Sequence, residues 1–95
     1  MEYQNDIVEN LLRNYYSLNT TDDLVLRDYK IDLDLALAKL KEYSSVLYLT
    51  IVNVFVNGTP IQEQAKVDDV SRMQVNRRLH DGLHVLTMIM NGEVL

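Results

Sequence analysis

The sequence predicts an all-α fold, a small helical domain of four to five helices with a helix-turn-helix at its C-terminal end. Apolar residues recur at steps of three and four along most of the chain, which is the spacing of amphipathic helices. Only three glycines and one proline interrupt the 95 residues. With 47% hydrophobic residues, residues 1–95 are expected to form a single domain around one modest core.

The first predicted helix spans residues 3–17. Its broad apolar stripe contains Tyr3, Ile7, Leu11 and Tyr15 at steps of four, with Val8, Leu12 and Tyr16 beside them. The polar run Asn19-Thr20-Thr21 marks the end of this helix. Asp22 and Asp23 then favour the start of a second helix, because carboxylates interact favourably with the positive end of the helix dipole.

The next two segments, Leu24 to Tyr43 and Val46 to Val56, each admit a strand or a helix. In the first, apolar residues alternate with polar ones as in a strand, but its Leu, Ala and Lys content favours a helix. In the second, β-branched residues favour a buried strand, whereas Tyr43, Leu47, Ile51 and Phe55 fit a helical stripe. We predict a helix for both, the second one stopping at Asn57-Gly58.

The predicted helix-turn-helix rests on the stretch from Thr59 to Leu86, because this stretch contains two signals for helix starts. Thr59 is predicted to cap a helix that has Pro60 at its first position and Gln62 three residues after the cap. Ser71 and Gln74 repeat this capping box for the second helix, and Val70 is placed to pack on Val75.

Between the two caps there is room for about two helical turns before Asp68-Asp69 breaks the first helix. The inner side of that helix is predicted to carry Ile61, Ala65 and Val67, and the inner side of the longer helix Val75, Leu79, Leu83, Leu86 and Met90. Ala65 and Gly82 are small enough to permit close approach of neighbouring helices. The tail Asn91 to Leu95 is expected to end the last helix.

Charge is distributed unevenly along the chain, whose formal net charge is −5. Residues 1–60 carry nine acidic and five basic side chains, whereas residues 61–80 carry four basic and three acidic ones. The overall sign disfavours a free-standing nucleic-acid binder, but the basic residues concentrate where a recognition helix is predicted.

Several classes of protein are disfavoured by composition. The chain has no cysteine, which excludes thiolate metal sites and cysteine nucleophiles and fits a cytoplasmic setting. The polar, acidic N-terminus does not resemble a signal peptide, and the longest apolar run, Val46 to Val56, is too short to span a bilayer. We therefore expect no membrane association. Without a glycine-rich phosphate loop or a nucleophile elbow, no enzyme activity and no cofactor are predicted.

The C-terminal half, from Val46 to Leu86, resembles region 4 of bacterial sigma factors, especially the extracytoplasmic-function type. The residues that match its recognition helix are Ser71, Val75, Arg78, Leu79 and Leu83, while Ala65 and Gly58 match the small residue of the preceding helix and the glycine before it. In size and style the whole chain also resembles the autolysin-regulator (ArpU-like) group of phage late-gene regulators. The resemblance implies a phage-encoded regulator with an N-terminal helical extension, residues 1–43, and a sigma region 4-like helix-turn-helix, residues 44–90.

Candidate DNA contacts follow from the polar side of the predicted recognition helix. Arginine can bind guanine and phosphate, and Gln and Asn can bind adenine edges. The candidates are Ser71, Arg72, Gln74, Asn76, Arg77, Arg78 and His80. Each has an alternative explanation: the adjacent Arg77 and Arg78 can be a solvated face that pairs with Asp81 or Glu63, and the amides can be ordinary surface residues.

Three further patterns favour structure over chemistry. His80 and His84 have the spacing of metal ligands on a helix, but no third ligand is evident, so no metal site is predicted. The six tyrosines are more consistent with core or dimer packing than with base stacking, since they fall on helical stripes with leucines. Met88 and Met90 are expected to pack at the end of the core.

Two classes of function remain. In the first, the helix from Ser71 to Leu86 enters a DNA major groove, and the N-terminal helices form a homodimer or contact RNA polymerase. In the second, the chain is an acidic protein-interaction module on a helix-turn-helix scaffold, and it binds and modulates RNA polymerase, a sigma factor or a nuclease. The net charge favours the second class, and the predicted helix-turn-helix favours the first.

Overall fold

A computed structural model describes residues 2–93, and it places six α-helices in this part of the chain. They are α1 (Asn5–Arg13), α2 (Tyr15–Leu18), α3 (Leu24–Tyr43), α4 (Ser45–Ile51), α5 (Ile61–Asp68) and α6 (Arg72–Met90), with a π-helical turn, Val52–Val56, extending α4. No strand occurs among these residues. The all-α prediction is confirmed, with one more helix than expected.

One apolar core unites the helices. α6 lies at its centre and contacts α1, α3, α4 and α5. The residues that are least accessible come from four different helices: Val8, Leu12, Leu33, Leu40, Ile51, Val75 and Leu86. Burial of this apolar surface is the main force that holds the short helices together, since isolated helices of their length are marginal in water.

The two ends of the chain are tied together by a pair of hydrogen bonds. The backbone N–H of Tyr3 donates to Oδ1 of Asn91 at 2.6 Å, and Nδ2 of Asn91 donates to the Tyr3 carbonyl at 2.9 Å. The Tyr3 side chain is buried in the shared core. The predicted N-terminal extension therefore packs against the end of α6. Val94 and Leu95 of the predicted tail lie outside the described residues.

The prediction of one helix over residues 3–17 was wrong, because the helix begins at Asn5 and is interrupted at Asn14. There the backbone leaves helical geometry, with φ −106° and ψ 19°. Nδ2 of Asn14 donates to the Asn10 carbonyl at 2.8 Å, a local side-chain bond of the kind that competes with the helix ladder. After the break, Tyr16 points outward at 62% exposure and donates to Oδ1 of Asn57.

The helical interpretation of Leu24 to Tyr43 is confirmed with the predicted ends. Oδ1 of Asp23 accepts from the backbone N–H groups of Val25 and Leu26, which makes Asp23 the N-cap. Leu33 and Leu37 are buried, whereas Ile31 and Leu35 are exposed on the opposite side. The alternation that suggested a strand therefore divides the leucines between two faces of one helix.

Val46 to Val56 is also helical, so the strand alternative is wrong. Ser44 caps the start through Oγ, which accepts from the Leu47 N–H at 3.2 Å. The last turn widens into a π-helix, in which the Asn57 N–H donates to the Val52 carbonyl five residues back. Gly58 then adopts a φ of +74°, a left-handed conformation that glycine accepts without strain.

Gly82 is the point where α4 and α6 come closest. A Cβ added there would lie 2.8 Å from Cγ1 of Ile51, a fully buried side chain. A methyl group at this position would overlap Ile51, so the small residue is required by the helix crossing. The prediction that Gly82 permits close approach is confirmed.

Candidate nucleic-acid interface

A sharp turn joins α5 to α6. Asp69 adopts the left-handed conformation, with φ 54° and ψ 47°, which Asp tolerates better than most residues. The Val70 N–H donates to the Ala65 carbonyl at 3.0 Å and so closes the end of α5. Ser71 then caps α6, since its Oγ accepts from the Gln74 N–H at 3.1 Å. Three residues, 69–71, therefore fix the entry angle of α6.

The predicted cap at Thr59 was wrong. α5 begins at Ile61, and no side chain caps it. Pro60 has a ψ of 144°, which is extended rather than helical, so it precedes the helix and does not occupy its first turn. The Thr59 N–H instead donates to the Asn53 carbonyl at 2.9 Å, which holds the chain against the preceding π-helical turn.

The inner face of α5 differs from the prediction in one residue. Ala65 is buried as expected, but Val67 is 74% exposed and Gln64 is buried in its place. An eight-residue helix that buries Ala65 turns position 64 inward and position 67 outward, because inner residues recur at steps of three and four. The prediction for Val67 is therefore corrected.

Asp68 joins the two helices through its side chain. Its Oδ2 accepts from Nε2 of the buried Gln64 at 2.9 Å and lies 3.6 Å from a guanidinium nitrogen of Arg78. The Arg78 and Asp68 side chains are 23% and 28% exposed, so this ion pair is partly shielded from water. Arg78 thus pairs with Asp68 rather than with Asp81 or Glu63, the partners considered from the sequence.

The outward face of the first half of α6 is polar and cationic. Arg72, Asn76, Arg77 and His80 are all exposed there. Within residues 2–93, Arg72 and Arg77 form no ion pair, so both guanidinium groups are open to a ligand. The opposite face is buried through Val75, Leu79, Leu83 and Leu86, as predicted. Met90 is partly buried against the same core.

The seven predicted contact residues therefore divide into two groups. Five are exposed: Ser71, Arg72, Asn76, Arg77 and His80. Gln74 and Arg78 are partly buried, so neither side chain is fully accessible to a ligand. The structure brings five of the seven to one accessible surface, which we call the α6 outer face.

Met73 also belongs to the α6 outer face, although it is not among the seven predicted contact residues. Its side chain is 73% exposed. Position 73 lies three and seven residues before Asn76 and His80, a spacing that places all three on one side of a helix. The helical spacing alone therefore predicts that Met73 shares this face. An apolar side chain, however, is not one of the residue types expected to form polar contacts with DNA.

The two histidines do not assemble a metal site. His80 and His84 are both exposed, and Nδ1 of His80 lies 3.6 Å from Oδ1 of its neighbour Asp81. In the described part of the chain, no three His, Asp or Glu side chains are grouped so that they could hold a metal ion. Nor is any helix of residues 2–93 long and apolar enough to cross a membrane.

Comparisons of this chain with models of known protein families, with curated proteins and with solved structures found no match.

Proposed function

We propose that the chain is a DNA-binding transcription regulator in which α5 and α6 act as a helix-turn-helix and the α6 outer face enters the major groove. The observation that carries this proposal is the pair of unpaired, exposed arginines on that face, Arg72 and Arg77. They lie on a helix whose other side is anchored in the core and whose start is fixed by the turn. A rigid helix with free cations is suited to dock against a negatively charged groove.

The α6 outer face offers one side chain for each kind of groove contact. Arg77 and Arg72 can form bidentate hydrogen bonds to guanine or bind phosphates, and Asn76 can bind the N6 and N7 edge of adenine. Met73 supplies an apolar contact for the thymine methyl group. His80, one helical turn after Asn76, is placed for a phosphate.

Arg78 has a different role in the proposal. Its ion pair with Asp68 holds α5 and α6 together, so it positions the reading helix and does not itself contact bases. Gln74 is half-buried and supports the start of α6, where its backbone N–H bonds to Ser71. The contact set proposed here is accordingly Arg72, Met73, Asn76, Arg77 and His80.

The acidic net charge of −5 limits the affinity that this surface can reach alone. Glu63, Asp68 and Asp69 lie on α5 and the turn, close in sequence to the free arginines, and carboxylates there repel phosphates. A second DNA-binding subunit or contact with RNA polymerase would add the missing binding energy. The resemblance to sigma factor region 4 and to phage late-gene regulators supports transcription as the process and a phage as the source.

The proposal is tested by titrating the protein into labelled duplexes with a randomised core at salt concentrations from about 50 to 200 mM. Arg77→Ala should weaken binding and reduce the slope of log affinity against log salt by about one, as expected for one lost phosphate contact. Arg13→Ala is the matched control, because it removes the same charge from an exposed position on α1, outside the α6 outer face. Equal effects of the two variants, or no binding at the lowest salt concentration, would overturn the proposal.

Arg78→Ala separates positioning from contact. It should lower the free energy of unfolding by about 1 kcal/mol, since it leaves the half-buried Asp68 without its ion-pair partner. Arg72→Ala, which removes an exposed and unpaired arginine, should leave stability unchanged. Chemical denaturation of both variants, read beside the DNA titration, distinguishes the two roles.

A second candidate function is an acidic interaction module that binds RNA polymerase, a sigma factor or a nuclease. The observation that favours it is the excess of 14 acidic over nine basic side chains, which suits a basic protein surface better than DNA. In that case the chain should form a salt-sensitive complex with one of these proteins and no complex with the duplexes. Replacing one acidic residue of the turn and one of α5, Asp69→Asn and Glu63→Gln, should then weaken the complex, whereas Arg77→Ala should not.

A further inference from the structure

The outward face of α3 carries apolar side chains that nothing in the described chain covers. Leu24, Ile31 and Leu35 are 71%, 57% and 61% exposed, and Ala38, one turn further on, is exposed as well. The steps between them are seven, four and three residues, so they form a single stripe along the helix. We call these four residues the α3 stripe.

The α3 stripe follows the heptad pattern of a coiled coil. If Leu24, Ile31 and Ala38 occupy the d positions, Leu35 falls at an a position, and so do Asp28 and Glu42. The side chains that flank such a seam stand at e and g, where charged residues pair across two helices. In α3 the g positions are Arg27, Asp34 and Lys41, and the e positions are Val25, Asp32 and Lys39.

The flanking charges are complementary to a second copy of the same helix in parallel orientation. In a parallel pair, each g residue meets the e residue five positions later on the other helix. Arg27 then meets Asp32 of the other copy, and Asp34 meets Lys39. Both contacts join opposite charges, and the two-fold symmetry provides each of them twice.

The antiparallel alternative is unfavourable on the same grounds. An antiparallel pair brings g against g and e against e. In the antiparallel register that places Ile31 of one copy against Leu35 of the other, Asp34 would lie opposite Asp34 of the second copy. Asp32 would likewise lie opposite Asp32. Like charges directly opposite each other oppose association, so the charge pattern selects the parallel arrangement.

The two carboxylates that would pair between copies are held in place by tyrosines of their own chain. Tyr3 donates its hydroxyl to Oδ2 of Asp32 at 2.7 Å, and Tyr15 donates to Oδ1 of Asp34 at 2.6 Å. Oδ2 of Asp34 also pairs with Nζ of Lys30 in its own chain. A carboxylate accepts about four hydrogen bonds, so each of the two still has capacity for a cation of the other copy. Asp32, Leu35 and Lys39 also line one open groove with Ile89 and Met90, which keeps them accessible.

We propose that the chain forms a parallel homodimer through the α3 stripe. Asp28 at an a position brings two carboxylates together in the seam, which favours a dimer that dissociates on dilution over a permanent one. The inference concerns a different helix from the proposed DNA-contacting surface and does not depend on DNA binding. All of its tests are therefore made without DNA.

The first test measures the dimer dissociation constant by sedimentation equilibrium. Ile31→Asp should raise it by roughly a hundredfold, because a charge replaces an apolar side chain in the seam. Asp28→Leu should lower it, since the repelling pair becomes an apolar one. Val67→Asp is the matched control: it also replaces an exposed β-branched apolar side chain with a charge, but on α5 and away from the stripe.

The second test establishes orientation and does not depend on a disruptive variant. The chain has no cysteine, so Leu24→Cys introduces a unique thiol near the start of α3. Under mild oxidation this variant should form disulfide-linked dimers, because parallel helices bring the two copies of position 24 together. In the antiparallel register these positions would be about 27 Å apart. Gln62→Cys, on α5, should remain unlinked.

A chain that stays monomeric at all concentrations overturns the proposal and would indicate that a different protein covers the stripe. A dimer that Ile31→Asp leaves intact also overturns it, as does equal cross-linking of the Leu24→Cys and Gln62→Cys variants. Circular dichroism of each variant verifies that the monomer is folded, which the exposure of all five substituted positions leads us to expect.

Discussion

The two long helices, α3 and α6, are alike on their inner faces and different on their outer faces. Both have about the same length, 20 and 19 residues, and both pack leucines into the same core. Toward solvent, α6 presents arginines, Asn76 and His80 in its first half, whereas α3 presents the α3 stripe between charged flanks. The inner faces determine the fold, and the outer faces carry the proposed binding functions.

This difference has an energetic basis. An apolar side chain that remains exposed contributes nothing to folding but retains roughly 25 cal/mol per Å² of transfer free energy for a partner. An exposed arginine without an ion pair gains energy when it meets an anion. The α3 stripe accordingly has the chemistry that the proposed second copy of the chain requires, and the α6 outer face has the chemistry that the proposed contact with DNA requires.

The largest predicted effect comes from truncating leucines on the two faces of α3. Leu33 is fully buried and Leu35 is 61% exposed, although they are only two residues apart. Leu33→Ala should lower the free energy of unfolding by about 2–5 kcal/mol, the usual cost of a cavity in a core. Leu35→Ala should change the stability of the monomer by no more than about 0.5 kcal/mol.

Urea denaturation at a protein concentration below the dimer dissociation constant makes this comparison directly. If both variants lost several kcal/mol, α3 would be covered on both faces within one chain, and the distinction between its inner and outer faces would fail.

A smaller effect on stability is expected at Gly82, where α6 packs closest to α4. Gly82→Ala should destabilise the protein by about 1–2 kcal/mol, because overlap with Ile51 outweighs the better helix propensity of alanine. Asp81→Ala, at the exposed neighbouring position, serves as the control and should be close to neutral. A gain in stability from Gly82→Ala, measured by thermal unfolding, would mean that α4 and α6 can separate without cost.

The smallest effect on stability is expected at Tyr3, whose hydroxyl donates a hydrogen bond to Asp32 at the border between the two faces of α3. Burial and the hydrogen bond to Asp32 raise the pKa of Tyr3 well above its ordinary value. The folded state therefore keeps the hydroxyl protonated at a pH where the unfolded chain loses its proton. This contribution to stability is complete below a pH of about 10 and declines as the pH rises above it.

Tyr3→Phe should cost about 1 kcal/mol at neutral pH, the typical net value of one hydrogen bond. It should also make the decline in stability above about pH 10 shallower, because one ionisation linked to unfolding is removed. Tyr16→Phe is a suitable control, since Tyr16 is exposed and bonds only to Asn57 at the surface. An unchanged alkaline decline in Tyr3→Phe would show that Tyr3 titrates as it does in the unfolded chain.

Local signals predicted much of the fold. α3 has the predicted ends because Asp23 supplies a cap and Ser44 begins a new one. Ser71 was identified as the cap of α6 from its side-chain chemistry alone, and Asp68-Asp69 as the pair that ends α5. Each of these features depends on a few neighbouring residues, which is the information that a single sequence contains.

Features that depend on distant residues were missed. The π-helical turn Val52–Val56 and the burial of Gln64 are determined by packing against other helices, which no local pattern reveals. Arg77 and Arg78 are identical in type and adjacent in sequence, yet Arg77 is exposed and unpaired while Arg78 pairs with Asp68. The two side chains leave the helix about 100° apart, and the position of α5 determines that Arg78 and not Arg77 forms the ion pair.

The sequence by itself determined that the chain is helical, where its main helices begin and which leucines of α6 face inward, because propensity, capping and periodicity are local properties. Only the tertiary structure decided which polar and apolar residues remain available to partners. Gln64 became buried and Met73 exposed, and the leucines of α3 were divided between core and surface. Availability depends on what every other helix covers, and that is a property of the whole fold.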